Sequence, residues 1–417
     1  MRRRIVQMGA AGIGGTLLAR SAAAALPEID AGKLQGGRVE FPAEVTSSER
    51  PSGGPPNPMP VNERVGFAVV GLGRLALEEV LPAFGETKKA RLVALVSGTP
   101  DKAARVAADY GVRPEAVYDY AGFDRIRDNP EIKAVYIILP NSMHKEYTVR
   151  AAQAGKDVLC EKPMAVSSAE GQAMVDACRA AQRKLMIAYR CQYEPYNREM
   201  LRMVREQVLG PVRFIDAVNL QNQGDGAQWR FNRALAGGGS LPDVGLYCLN
   251  AARFLTGEEP IEVIARSFSP PGDPRYAEVE ETVNFMLRFP SGVVANCATS
   301  YGMHESRLLR VHTPGGAISL DGAFAYDDKQ LRIAHRDGRA ESVNERRLPK
   351  QNQFALEIDH TAECVLSNRQ PHTPGEEGVQ DHRVMEAIYQ SAASGQPVAL
   401  PRVDGLDRTR GPAPSSS

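Results

Sequence analysis

Between residues 65 and 190 the chain repeats one pattern: a short continuous apolar run, then a longer stretch with helical spacing of its apolar positions. "VGFAVVG", "ARLVALVSG", "IKAVYIILP", "KDVLCEKP" and "LMIAYR" read as strands, apolar throughout as strands covered on both faces are. Between them "LALEEVLPAF", "TPDKAARVAADYG", "HKEYTVRAAQAG" and "SSAEGQAMVDACRAAQRK" read as helices. Pro82 disturbs or ends the first. The second has Thr99 at its N-cap, Pro100 at its first position and Gly111 past its end. Strands and helices alternating at this spacing predict right-handed βαβ units and a parallel, doubly wound sheet.

The rhythm changes after Arg190. One helix, "YNREMLRMVREQ", leads into "VRFIDAVNLQ", "IEVIARSFS", "TVNFMLRF" and "GVVANCATSY". Several of these alternate apolar and polar residues with no helix between, which predicts a mostly antiparallel open sheet with one buried face. Near the end, "FALEIDHTAECVL" puts Phe354, Ile358, Ala362 and Val365 on one helical face. The fold class is therefore α/β with a second α+β domain. The expected divisions are a leader over 1–25, a proline-rich arm over 26–62, a nucleotide-binding domain over 63–190, a substrate and assembly domain over 191–400, and a flexible tail over 401–417.

The first residues stand outside the fold. "MRRRIVQMGAAGIGGTLLARSAAAALPEI" has a basic start, a weak apolar middle and a small-residue exit near Ala23 to Ala25, the layout of an export signal. Arg2-Arg3 followed by Arg4, Ile5, Val6 and Gln7 resembles the twin-arginine pattern, which moves folded, cofactor-loaded proteins and points to the periplasm. The plainer reading is an amphipathic helix. "RPSGGPPNPMPVNER", with five prolines between Pro51 and Pro60, cannot build a core and is expected to run extended, as a spacer or as an arm along a neighbouring subunit.

Composition narrows the rest. In 417 residues, 50 Lys and Arg balance 50 Asp and Glu, which gives no electrostatic reason to expect nucleic acid or an acidic membrane surface. No run of eighteen apolar residues suggests a membrane span. Six scattered cysteines form no CxxC pair and the seven histidines no ligand spacing, so buried free thiols and no metal site are expected.

The chemistry begins at "VVGLGRLA", Gly71-x-Gly73-x-x-Ala76. Alone it marks only a strand-to-helix corner. Placed after a strand and opening a helix, it predicts a pyrophosphate turn, with the anion on the helix N-terminus. At the next strand's end an acid normally holds the ribose hydroxyls. Here "LVSGTPDKA" supplies Ser97 and Lys102, a hydroxyl and a cation, which suit a 2′-phosphate and so NADP. The alternative is that Lys102 is a solvated helix residue.

With "LCEKPMA" closing the fourth long strand and "GGGSLPDVGLYCLN" further on, the chain resembles the glucose–fructose oxidoreductase / inositol dehydrogenase / rhizopine catabolism (Gfo/Idh/MocA) family, most of all its glucose–fructose oxidoreductase branch. "AVYIILPNSMH", "LMIAYRCQYEPYNR", "QWRFNRALAGGGSLPDVGLYCLN" and "TPGEEGVQD" carry the same likeness, from about Val65 to Pro397. The resemblance implies an enzyme with tightly held NADP(H) that oxidises an aldose to its lactone and reduces a second sugar on the same cofactor. It implies a homodimer or homotetramer too. At the cofactor it implies Gly71, Leu72, Gly73, Arg74 and Leu75 on the pyrophosphate, Ser97 and Lys102 on the 2′-phosphate, and Tyr120, Leu139, Pro140, Asn141, Glu161 and Arg190 along the remainder. Trp229 and Arg230 are implied near the nicotinamide or the sugar. Tyr247 takes the position of the general base, Lys162 lies beside it and Asp243 orients the sugar. A free tyrosine, with a pKa of about 10, needs an adjacent cation to act as a base at neutral pH; a shift of about 2 units corresponds to roughly 2.7 kcal/mol.

Glucose with fructose and one aldose with another fit the donor and acceptor pair equally. Two further alternatives are an NADP-dependent aldose dehydrogenase with exchangeable cofactor and an exported NAD-dependent glycosidase; Lys162 argues against the second. A non-catalytic sugar-binding subunit is the last.

Overall fold

The structure, a computed structural model, describes residues 33–35, 38–40, 63–224, 228–403 and 409–414. The leader, the proline-rich stretch and Asp225 to Ala227 lie outside the described residues. Within the arm, β1 (Lys33–Gln35) and β2 (Arg38–Glu40) pair antiparallel.

The first sheet has six strands: β3 (Val65–Val70), β4 (Ala90–Val96), β5 (Val117–Tyr118), β6 (Ile132–Ile137), β7 (Asp157–Glu161) and β8 (Leu185–Ala188). Every pairing is parallel and the order is β5-β4-β3-β6-β7-β8. The order reverses between β3 and β6, which opens a crevice at the carboxyl ends of those strands. All six residues of β3 are buried, as its unbroken apolar run requires. The helical run after β3 comprises a π-helical turn, Ala76–Val80, and α1 (Leu81–Ala83), with Pro82 in the first turn of α1. Then come α2 (Pro100–Tyr110), α3 (Asn141–Gln153) and α4 (Ser168–Ala180). Gly111 ends α2 in the left-handed region and returns its N–H to the Ala107 carbonyl; the Ser167 hydroxyl caps α4.

After α5 (Pro195–Arg205) the chain builds a nine-stranded sheet from β9 (Phe214–Asn222), β10 (Glu262–Phe268), β11 (Thr282–Arg288), β12 (Val294–Ser300), β13 (Gly302–Thr313), β14 (Gly316–Asp321), β15 (Gln330–Asp337), β16 (Ala340–Arg346) and β17 (Val398–Ala399). Its order is β16-β15-β14-β13-β9-β12-β11-β10-β17, antiparallel except where β9 meets β12. On β9 to β12 buried and less buried residues alternate: Ile215, Ala217, Val263, Phe285 and Ala295 point to the core, while Val218, Ile264, Met286 and Ala298 lie half-buried on the opposite face. The short α6 (Arg233–Ala236) and α7 (Leu246–Thr256) lie between β9 and β10.

Two details correct the sequence expectations. α8 (Gln353–Ser367), in the stretch assigned to the second domain, packs back on the first sheet, against β3, β4, β6 and β7. Its Phe354, Ile358 and Ala362 need an apolar surface, and Asp359 fixes the helix by accepting from the backbone N–H groups of Lys88 and Lys89 at 2.7 Å each. After α9 (Gly375–Ser394), the tail is not free along its whole length. Arg410 is drawn out of solvent and donates to the buried Glu377 carboxylate at 2.6 Å, since a buried carboxylate demands a cation. The six cysteines are free thiols; five are buried and Cys191 is half-buried.

Candidate active site

The sequence-predicted residues gather along one edge, the carboxyl ends of the parallel strands. At the end of β3, Gly71 has φ +95°, and a Cβ there would stand 2.2 Å from the Ile138 carbonyl oxygen, so the turn requires glycine. At Gly73 a Cβ would meet no atom within 4 Å among the described residues. Leu72 is buried, Leu75 is half-buried and packs on the core, and Arg74 pairs with Glu78 at 3.2 Å. Ser97, at the end of β4, is buried, and its hydroxyl accepts from the Thr99 N–H at 3.3 Å. Lys102, on the first turn of α2, is fully withdrawn from water. That removes the reading of a solvated lysine, because a buried ammonium needs anionic or strongly polar company. Tyr120 lies against Gly98, whose added Cβ would meet its ring at 2.9 Å. A bare glycine turn and a buried cation at the neighbouring strand end fit a dinucleotide carrying a 2′-phosphate.

At the ends of β6 and β7 two loops are joined by His144. Its ring nitrogens lie 2.8 Å from the Leu139 carbonyl and 2.9 Å from that of Pro163. Asn141 then ties Pro140 and its loop to the second half, donating to the Ala236 carbonyl at 2.8 Å. The triple glycine at 237 to 239 is neither a loose loop nor open to a ligand. A Cβ on Gly239 would stand 2.0 Å from the Glu280 carbonyl oxygen, and one on Gly238 would stand 2.1 Å from the Tyr389 hydroxyl. The Glu280 carboxylate accepts from the Gly239 and Leu241 N–H groups at 3.0 Å each, which fixes the start of the next turn.

That turn is a π-helical stretch, Leu241–Gly245, running directly into α7. It presents Asp243 and Tyr247 together to Lys162. The Lys162 ammonium donates to the Asp243 backbone carbonyl at 2.8 Å and to its Oδ1 at 3.1 Å. The same nitrogen stands over the Tyr247 ring, 4.6 Å from its centroid. The other Asp243 oxygen accepts from Arg230 Nε at 3.1 Å and from the Tyr301 hydroxyl at 2.8 Å. Burial works to raise the Asp243 carboxyl, but the charges of Lys162 and Arg230 and the Tyr301 hydrogen bond outweigh it and hold it well below the usual carboxylate range. Burial likewise opposes the Lys162 ammonium, yet Tyr247, Asp243 and Glu161 shift the balance upward, so Lys162 stays charged.

The phenol oxygen of Tyr247 accepts a hydrogen bond at 3.1 Å from Arg190 Nε. The buried Arg190 is held by the Gln353 amide oxygen at 2.7 Å and the Phe324 carbonyl at 2.7 Å, and it stacks on Tyr326 at 4.4 Å. Arg190, expected along the cofactor, is therefore the residue that grips the phenol, while Lys162 covers the ring face. Trp229 is half-buried, not a core aromatic, with the Arg230 guanidinium 4.7 Å from its ring centre.

Two family models match: an oxidoreductase family with an NAD-binding Rossmann fold over residues 65–189, and a GFO/IDH/MocA C-terminal domain over residues 197–319. A D-xylose 1-dehydrogenase [NADP(+)] of Haloarcula marismortui is 31% identical over 342 residues, 81% of this chain and 93% of its own length. The chain belongs to the GFO/IDH/MocA oxidoreductase family. A 1,5-anhydro-D-fructose reductase of Ensifer adhaerens is 28% identical, covering 79% of this chain and 97% of that protein. Among solved structures, an aldose–aldose oxidoreductase from Caulobacter crescentus complexed with glycerol superposes with a TM-score of 0.78 at 46% identity, over 81% of this chain and all of that one.

Within this GFO/IDH/MocA chain the structure adds residues that sequence reasoning missed. Tyr301 lies between β12 and β13 with no motif around it, and only the fold brings it to Asp243. Gln353 lies 163 residues along the chain from the Arg190 it holds. His144 stood inside the quoted "LPNSMH", whose spacing gave no hint of the loop it bridges. Asp243, expected to orient a sugar, also accepts from Lys162, Arg230 and Tyr301, a set of protein donors that its motif did not announce.

Proposed function

We propose that this oxidoreductase uses tightly held NADP(H) to oxidise an aldose at C1 to its lactone and to reduce a second sugar to a polyol, in alternating half-reactions on one resident cofactor. The observation that carries the reading is Tyr247 with its hydroxyl on Arg190 and its ring under Lys162, at the strand edge where the nucleotide turn opens. The xylose dehydrogenase and aldose–aldose oxidoreductase relatives support the substrate class and NADP.

Gly71 to Leu75, Ser97 and Lys102 would hold the dinucleotide. Bound there, the dinucleotide would supply a hydride acceptor for the oxidation and a hydride donor for the reduction. The chain must move the proton. Tyr247 takes the proton of the C1 hydroxyl during oxidation and gives it back during reduction, a general base and acid with an oxygen fixed by Arg190. Lys162, kept cationic by Asp243, stabilises negative charge developing on the sugar oxygen. Arg230 and Trp229 present a charged and an aromatic surface suited to a sugar's hydroxyls and apolar face. The paired arginines at 2 and 3 support export to the periplasm with the cofactor already loaded. The half-buried apolar residues on the open face of the nine-stranded sheet are the surface on which a dimer or tetramer would form.

The test needs no added nucleotide. The purified protein is dialysed, its absorbance is recorded, and it is incubated with pairs of sugars. Stoichiometric nicotinamide and equal yields of aldonic acid and polyol are the expected result. Turnover only with added NADP identifies an ordinary aldose dehydrogenase, and no turnover with any sugar overturns the reading.

A further inference from the structure

Beside Lys162 and Arg190 lies a buried group of side chains that the proposed reaction does not use. The Tyr136 hydroxyl, on β6, stands 2.7 Å from Oε1 of Glu161 at the end of β7 and 3.0 Å from Oε1 of Glu357 on α8. Tyr136 and Glu357 are wholly buried and Glu161 nearly so. A phenol owns one proton and can donate to one of those oxygens. With two carboxylates, the second contact would set lone pair against lone pair in a site without water to relieve it. That contact closes only when the second carboxyl brings its own proton and donates it to the phenol oxygen. Counting protons therefore requires one carboxylic acid and one carboxylate.

The surroundings decide which is which. Burial raises the Glu161 carboxyl as well, but it is opposed there by the Tyr136 hydrogen bond, by the charges of Lys162 and Arg190 and by the Lys162 backbone N–H, which donates to Oε2 at 3.2 Å. Oε2 of Glu357 is buried with no hydrogen-bond partner among the described residues. The titratable and charged groups that face Glu357 are Glu161, Tyr136 and Arg190, with Cys191 and Tyr193 beyond them. Burial, and then the Glu161 charge, push the Glu357 carboxyl well above the usual range.

We propose that Glu357 is a protonated positioning residue: its acid hydrogen goes to the Tyr136 oxygen, the Tyr136 hydrogen goes to Glu161, and the chain leaves a single negative charge, on Glu161 beside Lys162. Its bearing on catalysis rests on the reading of Lys162 and Tyr247 given above; its protonation state does not. One turn earlier on the same helix, Gln353 holds Arg190. α8 thus carries two neutral side chains that set the two charged residues, Glu161 and Arg190, flanking the reaction centre.

The experiment compares the full-length protein with Glu357→Gln, Glu357→Ala and Tyr136→Phe. A carboxyl whose folded pKa is raised contributes stability that is fully present below its unfolded pKa of about 4.3 and is lost as pH rises towards the folded value. Glutamine mimics the acid and cannot ionise. Above about pH 4.3 the folding constant of Glu357→Gln should therefore gain on the parent, by up to about tenfold per pH unit. An infrared difference spectrum at neutral pH, parent minus Glu357→Gln, should show a carboxylic-acid C=O band that Glu161→Gln does not remove. In turnover, Glu357→Gln should keep the parent's pH profile, while Glu357→Ala and Tyr136→Phe lower kcat with little change in KM. The proposal is overturned if Glu357→Gln loses as much stability and kcat as Glu357→Ala at every pH, or if no acid band belongs to Glu357. Should the alanine variant fail to fold, the spectrum and the glutamine variant decide. Should no sugar be turned over at all, the spectrum still reports the proton.

Discussion

Replacing Tyr247 by phenylalanine separates its oxygen from everything else it does. The ring remains beneath the Lys162 ammonium, 4.6 Å from its centroid, and against Phe324 at 5.8 Å, so packing is kept. What is lost is one acceptor for Arg190 Nε at 3.1 Å. Arg190 keeps Gln353 and the Phe324 and Ala325 carbonyls. Removing a single acceptor from a buried donor costs about 1–3 kcal/mol of stability, which should lower the melting temperature by several degrees without unfolding the chain. The catalytic cost is larger. A positioned acid–base group contributes about 10²–10⁴-fold, or about 2.7–5.5 kcal/mol at 1.36 kcal/mol per decade. The assay is rapid mixing of the nucleotide-loaded protein with an aldose, following reduced nicotinamide by absorbance, with a thermal scan on the same sample. Hydride transfer in the phenylalanine variant should be slower by at least a hundredfold while the thermal transition stays cooperative. A variant within tenfold of the parent would mean that the phenol is not the proton carrier, and the assignment of Tyr247 would be abandoned.

Arg190→Gln removes the cation on the phenol oxygen, so the ionisation that governs kcat/KM should move to higher pH by about one unit; an unmoved profile means Arg190 does not act on Tyr247. Asp243→Asn leaves Lys162 and Arg230 without the anion between them and should cost about 2 kcal/mol at neutral pH, allowing for their partial exposure. Because the folded Asp243 pKa is depressed, its contribution is present above the unfolded value of about 3.9 and is lost as pH falls through the folded one; denaturation curves of parent and variant should converge in acid, and parallel curves contradict the ion-pair account. Gly71→Ala forces a Cβ to 2.2 Å from the Ile138 carbonyl at φ +95°, a strain of about 1–3 kcal/mol; the variant should melt lower and copurify with less nucleotide, and unchanged nucleotide content would show that the turn is not a phosphate cradle.

The parallel half was legible because its signals are local. Unbroken apolar runs, Gly71 and Gly73 at a strand end and Glu161-Lys162 closing another all follow from residues close together in the chain. The alternation in β9 to β12 was legible for the same reason, whereas the π-helical turn that carries Asp243 was not. What escaped was non-local. Nothing near Tyr301 marks it as a partner of Asp243, and the apolar face of α8 said that it packs without saying on which sheet. Arg190 was expected along the cofactor and its bond to the Tyr247 oxygen was not foreseen, because a strand-end arginine reads equally as a phosphate, ribose or phenol ligand until α7 and α8 are set around it.

Those non-local contacts explain why the chemistry cannot belong to the nucleotide-binding half alone. Lys162 comes from that half, but its ammonium is fixed by Asp243 from the other. Arg190 follows β8, but Gln353 and the Phe324 and Ala325 carbonyls orient it, and the oxygen it grips is on α7. Asn141 leaves its loop to bond Ala236, and Tyr136 reaches Glu357 across the same seam. Lys162 and Arg190 of the first half are thus each paired or aimed by groups from the second. Separated, the first half would retain its glycine turn and its buried Lys102 but would present Lys162, Arg190 and Glu161 to water, where their charges are screened and their side chains free. On the proposed function, nucleotide affinity and sugar chemistry would accordingly have different structural owners: the strand ends of the first sheet for the one, and the groups joining the two halves for the other.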